Sequence, residues 1–191
     1  MTLLFVGFIL FFSAHLSPGV FGLRQTLVNR LGENLFRGLY IAASVLGMVG
    51  IIVGKSTANY IGIYVPPLWA IPVVPVIIFI AFILLAALLI PSNIRRFTRH
   101  PMLWGIALWS TGHLLANGDL ASIVTFGGFG IYALISMWSL NARGAKKSTT
   151  RYSPVRDILV VVTGLCVSAL AIWLHPYLIG VPALIGVPLI L

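Results

Sequence analysis

Negative charge is almost missing from this chain. Its 191 residues include only three acids, Glu33, Asp119 and Asp157, each far from the others in sequence. No pair of carboxylates lies within the apolar runs, so hydrolysis by paired acids and proton pumping find little support. Cysteine is nearly missing as well. The lone Cys166 excludes an intramolecular disulfide and a multi-cysteine metal site, and its apolar surroundings predict a small buried residue. There is no Gly-x-Ser-x-Gly, no His-Glu-x-x-His and no phosphate-binding loop, so hydrolase and nucleotide-dependent chemistry find no motif. The longest polar stretch, Asn141 to Arg156, is too short to build a soluble core. The N-terminus lacks a basic region before Leu3 and a small-residue cleavage site after its apolar run, which predicts a first span rather than a signal peptide.

What fills the chain is apolar. Hydrophobic residues make up 60% and charged residues 8%, against roughly 25% charged in soluble domains. The apolar residues come in long blocks rather than short alternating strands, so the fold class is all-α: a single domain over 1–191, a polytopic membrane helix bundle. Six spans of the ~17–25 residues that a bilayer requires are expected: Thr2–Val20, Leu35–Val53, Leu68–Ile90, Pro101–Asn117, Leu120–Leu140 and Asp157–Leu174. Pro91-Ser92-Asn93 stops the third, Pro101 suits the first turn of the fourth, and Gly118-Asp119 makes a tight turn with Asp119 as N-cap of the fifth. The segment Leu178–Leu191 is apolar, but it is short and interrupted by Pro182 and Pro188. It reads as re-entrant or interfacial.

The net charge of +9 comes from twelve basic residues that flank these spans. They read as topology signals and headgroup contacts, so no nucleic-acid partner is expected. All but Lys55 fall at odd-numbered loops, which predicts cytoplasmic odd loops and periplasmic termini for a multi-pass protein of a bacterial inner membrane. In the first loop, Leu23, Leu27, Val28 and Leu31 recur at helical spacing around Arg24 and Arg30, the pattern of an amphipathic helix lying on the membrane.

Chemistry has few places to reside. His15 in the first span and His113 in the fourth lie at membrane depth, where an imidazole needs a hydrogen-bond partner or a metal. An interhelical hydrogen bond is one reading, and a pair of axial haem ligands is the other. His100 and His113 sit on one helix about 20 Å apart along its axis, so they cannot share one iron. Pairing His113 with His15 brings a depth offset of roughly 10 Å, so the pair requires helix tilt or a longer first span. Asn117 shares a helix face with His113 and either orients its ring or caps the turn. His100 with Arg95, Arg96 and Arg99 forms either an anion-binding corner or a topology signal. Glu33 and Arg37, spaced i,i+4, steady a helix and leave a site role open. Glycines such as Gly38, Gly47, Gly50, Gly105, Gly112 and Gly127 permit close helix packing or clear space for a flat ligand. Trp104, Trp109, Trp138 and Trp173 fit a pocket wall or an interfacial belt. His175 reads as interfacial.

The blocks Gly32-Glu33-Asn34-Leu35-Phe36-Arg37-Gly38-Leu39-Tyr40, Pro91-Ser92-Asn93-Ile94-Arg95, Arg99-His100-Pro101-Met102-Leu103-Trp104-Gly105 and Gly112-His113-Leu114-Leu115-Ala116-Asn117-Gly118-Asp119, with Phe12-Ser13-Ala14-His15-Leu16, resemble the NnrU family of integral membrane proteins over nearly the whole chain. That family includes the 15-cis-zeta-carotene isomerase, which holds haem b between two histidines; its bacterial members are associated with denitrification. The resemblance implies haem b with His15 and His113 as metal ligands and catalytic pair. The other residues expected at the cofactor are Asn117, His100, Arg96 and Arg37. It implies cis-trans isomerisation of a hydrophobic polyene such as zeta-carotene, with membrane lipid and a hydrophobic small molecule as partners. The alternative is electron transfer or a nitrogen-oxide response with a redox partner. The Arg-His-Pro block also resembles isoprenylcysteine-type membrane methyltransferases, which use S-adenosylmethionine. Those enzymes continue with an acidic and arginine-rich block, whereas this chain offers only Asp157 after Asp119.

Overall fold

Backbone amides in lipid are satisfied only inside a helix or a closed barrel, and this chain takes the helical route. The computed structural model describes residues 1–17 and 23–179. Eight helices are described: α1 (Thr2–Leu16), α2 (Leu23–Leu31), α3 (Glu33–Ser56), α4 (Ala70–Leu89), α5 (Ile94–Phe97), α6 (Pro101–Ala116), α7 (Leu120–Ala142) and α8 (Pro154–Ile179). Among the described residues there is no strand, only an isolated antiparallel bridge between Gly62 and Asp119. The chain is an all-α membrane protein, and α3, α4, α7 and α8 are long and apolar enough to cross a bilayer. The expected six spans reduce to these four plus two shorter helices. At 15 and 16 residues, α1 and α6 extend only about 23 Å at 1.5 Å per residue. The end expected for the first span, and the segment from Gly180 to Leu191, lie outside the described residues.

The helix boundaries follow local chemistry. The Asp119 carboxylate accepts the Ser122 N–H at 2.9 Å and caps α7 as expected. Pro101 opens α6, where its missing N–H is no loss. Gly32, at φ 80°, ends α2 and admits α3 directly after it. The expected amphipathic helix is α2, which runs from the first to the last of the apolar residues expected on its face, Leu23 to Leu31.

Two compact units make up the fold, Met1–Ile61 and Gly62–Leu191. In the first, α1 packs along α3 through glycines. A Cβ at Gly47 would lie 2.6 Å from the Phe11 amide nitrogen, and one at Gly7 would lie 2.7 Å from the Gly50 carbonyl carbon. In the second, α4 is central and packs on both α6 and α8, while α6 also packs on α7. Small residues again set the contacts. Ala81 of α4 opposes Gly105 of α6, and Ile83 of α4 opposes Gly164 of α8. Buried Val160, Gly164 and Ser168 form the stripe that α8 turns to its neighbours. Cys166 lies off that stripe and is exposed, which corrects the expectation that it is buried. Helix contacts in membranes gain little from hydrophobicity, because lipid is equally apolar, so close backbone approach carries the association.

This packing yields a differential prediction. Gly47→Ala and Gly164→Ala each meet backbone that cannot move aside and should destabilise by about 1–3 kcal/mol. Gly38→Ala and Gly127→Ala meet nothing within 4 Å and should be neutral or gain up to ~1 kcal/mol from helix propensity. Thermal unfolding midpoints of the four purified variants in one detergent provide the check.

Candidate functional site

The last turn of α6 carries the most developed polar geometry of the second unit. His113 is half-buried, and its Nδ1 lies 2.9 Å from the Trp109 carbonyl oxygen. A carbonyl can only accept, so Nδ1 holds the ring proton, and in the neutral imidazole the lone pair sits on Nε2. Aromatic rings flank this imidazole: Phe126 stacks at 4.3 Å between centroids and Trp109 lies tilted at 4.7 Å. Trp109 also meets Phe126 and Phe129 edge-on. It is therefore a wall residue, while Trp104, Trp138 and Trp173 are exposed as in a belt.

Asn117 does what a capping residue does. Its backbone N–H and its side-chain amide both donate to the His113 carbonyl, each at 2.9 Å. It thus fixes the turn that carries His113 rather than bonding the ring.

His15 repeats the arrangement in the first unit. Its Nδ1 lies 2.9 Å from the Phe11 carbonyl oxygen, again four residues upstream, so the lone pair of the neutral ring is again on Nε2. Phe11 stacks on the ring at 4.0 Å, and Tyr40 of α3 lies 5.5 Å away. One turn before Tyr40, Arg37 reaches the Glu33 carboxylate at 3.6 Å, and Arg24 of α2 reaches the same oxygen at 3.2 Å. Arg24, Glu33, Phe36, Arg37 and Tyr40 line a cavity of about 260 Å³.

The basic cluster before α6 is occupied by helix ends. The His100 Nε2–H and an Arg99 N–H both donate to Asn141 Oδ1 of α7, each at 3.0 Å, because that amide oxygen only accepts. Arg95 donates to the Ala87 and Leu88 carbonyls and caps α4. Arg96 is half-buried beside it. The Asp157 carboxylate accepts the Asn93 backbone N–H at 2.8 Å and its side-chain amide at 2.7 Å, tying the α4–α6 connection to the start of α8. The one acid available for a methyltransferase reading is thus a structural clasp. Among the described residues, no three His, Cys, Asp or Glu side chains converge on a metal position.

One element of this region was not foreseen from the sequence. The segment Gly62–Tyr64 docks on the end of α6: the Ile63 and Tyr64 amides both donate to the Gly118 carbonyl. The Tyr64 hydroxyl faces the Leu114 and Asn117 carbonyls, the last being 2.9 Å away. The Tyr64 carbonyl occupies the space that any Cβ at position 118 would need, so Gly118 is required by close approach and not by a left-handed turn. The available signal was the β-branched and aromatic run Tyr60-Ile61-Gly62-Ile63-Tyr64-Val65 closed by Pro66-Pro67, which favours extended backbone. Burial, and after it the nearby Asp119 carboxylate, push the Tyr64 phenol above its ordinary value of 10.0.

A folded pKa above the unfolded one favours the protonated form in the folded state. The Tyr64 contribution is therefore whole below pH 10 and is lost as pH rises through the higher folded value. Tyr64→Phe should cost about 0.5–1.5 kcal/mol at neutral pH, at the lower end because the side chain is 38% exposed. The gap in unfolding midpoint between wild type and Tyr64→Phe should then close above pH 10. A gap that stays constant to pH 11 would contradict the assignment.

The family model described as NnrU protein matches residues 3–183, and the chain belongs to that family. No curated protein and no solved structure matches it.

Proposed function

We propose, from membership of the NnrU family and the state of His15 and His113, that this protein binds haem b and that these two histidines would hold it. One observation carries the reading: each imidazole donates Nδ1–H to the carbonyl four residues upstream, which puts the lone pair on Nε2. Neutral imidazole of this tautomer is a common axial ligand of haem iron, and the backbone acceptor raises its basicity and fixes its plane.

The chain's own residues have defined parts in this reading. Phe126 and Trp109 hold the His113 ring on its faces and keep water away from it. Phe11 does the same for His15. Asn117 is a positioning residue that stops α6 from fraying beside His113. Among the other residues expected at the cofactor, His100 fastens α6 to α7, and Arg96 and Arg37 lie outside the reading. When bound, the haem supplies an iron centre able to isomerise a double bond without net redox change or to carry single electrons. The substrate in the first case is a hydrophobic polyene of the zeta-carotene type entering from lipid. The setting is a bacterial inner membrane, with periplasmic termini inferred from the distribution of basic residues.

The test is an absorption spectrum of the protein purified from haem-replete cells. A Soret band is expected in wild type and in His175→Ala. It should be lost or shifted in both His15→Ala and His113→Ala, with helicity by circular dichroism unchanged. A colourless wild type, or a band that survives both substitutions, overturns the proposal. Conversion of a poly-cis carotenoid by the red protein then separates the isomerase from the electron carrier.

A further inference from the structure

We infer that the first unit contains a built site for an anionic phospholipid, separate from the face of α1 that carries His15. Two cavities adjoin there and share Phe36 and Tyr40 as their common wall. The first, about 260 Å³, is the cationic one: Arg24 and Arg37 face a single carboxylate, Glu33, which leaves one positive charge in excess. The second, about 300 Å³, runs between α1, α2 and α3. Its walls are mainly apolar, with Ile9 and Leu10 on one side and Leu27, Leu31 and Leu39 on the other.

A charged mouth that continues into an apolar groove is the shape of one amphiphile. The mouth selects phosphate. Arginine presents a planar fork of N–H donors that matches phosphate oxygens in pairs, and the Arg24 and Arg37 side chains remain 48% and 68% exposed. Glu33 touches both arginines and keeps their positions without neutralising them. Arg24 is further held 5.6 Å above the Phe36 ring, at the seam between the two cavities. The groove selects the acyl chain, because its lining offers almost nothing to hydrogen-bond. The occupant is a phospholipid of the anionic leaflet, the surface to which basic flanking segments are drawn.

The haem reading does not supply this site, and the site does not need the haem reading. The groove is lined from α1 by Ile9, Leu10, Ser13, Ala14 and Ser17, whereas Phe11 and His15 stack on each other along a neighbouring face. His15 lines neither cavity, although Tyr40, their common wall, lies 5.5 Å from its ring.

Native mass spectrometry of the full-length protein, titrated with phosphatidylglycerol or phosphatidylcholine of matched chains, tests the inference. One phosphatidylglycerol should bind above the background of weak adducts, and phosphatidylcholine should not reach that occupancy. Arg24→Gln/Arg37→Gln should weaken phosphatidylglycerol binding about tenfold or more, Arg24→Lys/Arg37→Lys only partly, and Lys146→Gln/Lys147→Gln not at all. Ala43 of α3 also lines the groove, and Ala43→Phe, which fills it and leaves the charges in place, should weaken binding as well. Equal loss in the Lys146/Lys147 control would mean non-specific attraction and overturn the inference. So would inorganic phosphate or oleate competing as well as the intact lipid. Haem content is read in parallel: if the double arginine variant keeps its helicity but loses the Soret band as His15→Ala does, the arginines serve the haem carboxylates and the lipid site is refuted. If wild type is colourless yet still retains phosphatidylglycerol, only the haem proposal fails.

Discussion

An imidazole at membrane depth must place its N–H on an acceptor, and the backbone of its own helix offers the nearest one. His15 and His113 both use it. The carbonyl four residues upstream is already bonded within the helix, but a carbonyl oxygen has two lone pairs and can accept a second hydrogen bond. The arrangement needs no second polar side chain, which matters in a chain with three acids. It also leaves each ring with a defined acceptor nitrogen and aromatic neighbours on its faces. The position of each ring's lone pair follows from that one bond.

The helices that carry them are assembled by subtraction of side chains. Where α1 meets α3, and where α4 meets α6 and α8, glycine or alanine on one helix lets the backbone of the other approach. Many of the larger apolar residues face outward instead, although Leu4, Ile51, Leu103, Phe126 and Phe129 are buried. Hydrogen bonds act at the ends, where the helices leave the apolar region: Asp157 with Asn93, Asn141 with Arg99 and His100, and Arg95 with the final carbonyls of α4. Polar groups thus join helices at the margins, and small residues join them in the middle.

Much of this was legible in the sequence because it is local. Apolar run lengths located the helices, Pro101 and Asp119 marked two starts, and the spacing of Leu23, Leu27 and Leu31 identified α2. The two deep histidines stood out because lipid makes any polar residue conspicuous. What was not legible depends on the partner rather than on the residue. Gly38 and Gly47 look alike in sequence, yet only Gly47 faces another backbone. Cys166 falls outside the contact stripe of α8, although its neighbours Gly164 and Ser168 lie on it. The role of Asn117 turned on where an amide points, and the docking of Tyr64 joins residues fifty positions apart.

The fit of the Tyr64 carbonyl against Gly118 ties two distant positions into one unit of change. A side chain of any kind at 118 evicts the segment before it, and a segment that has withdrawn no longer demands glycine. Lineages descended from such a protein should therefore keep both features or relinquish both. Chains that retain the glycine while varying freely around position 64 would have found another reason for it.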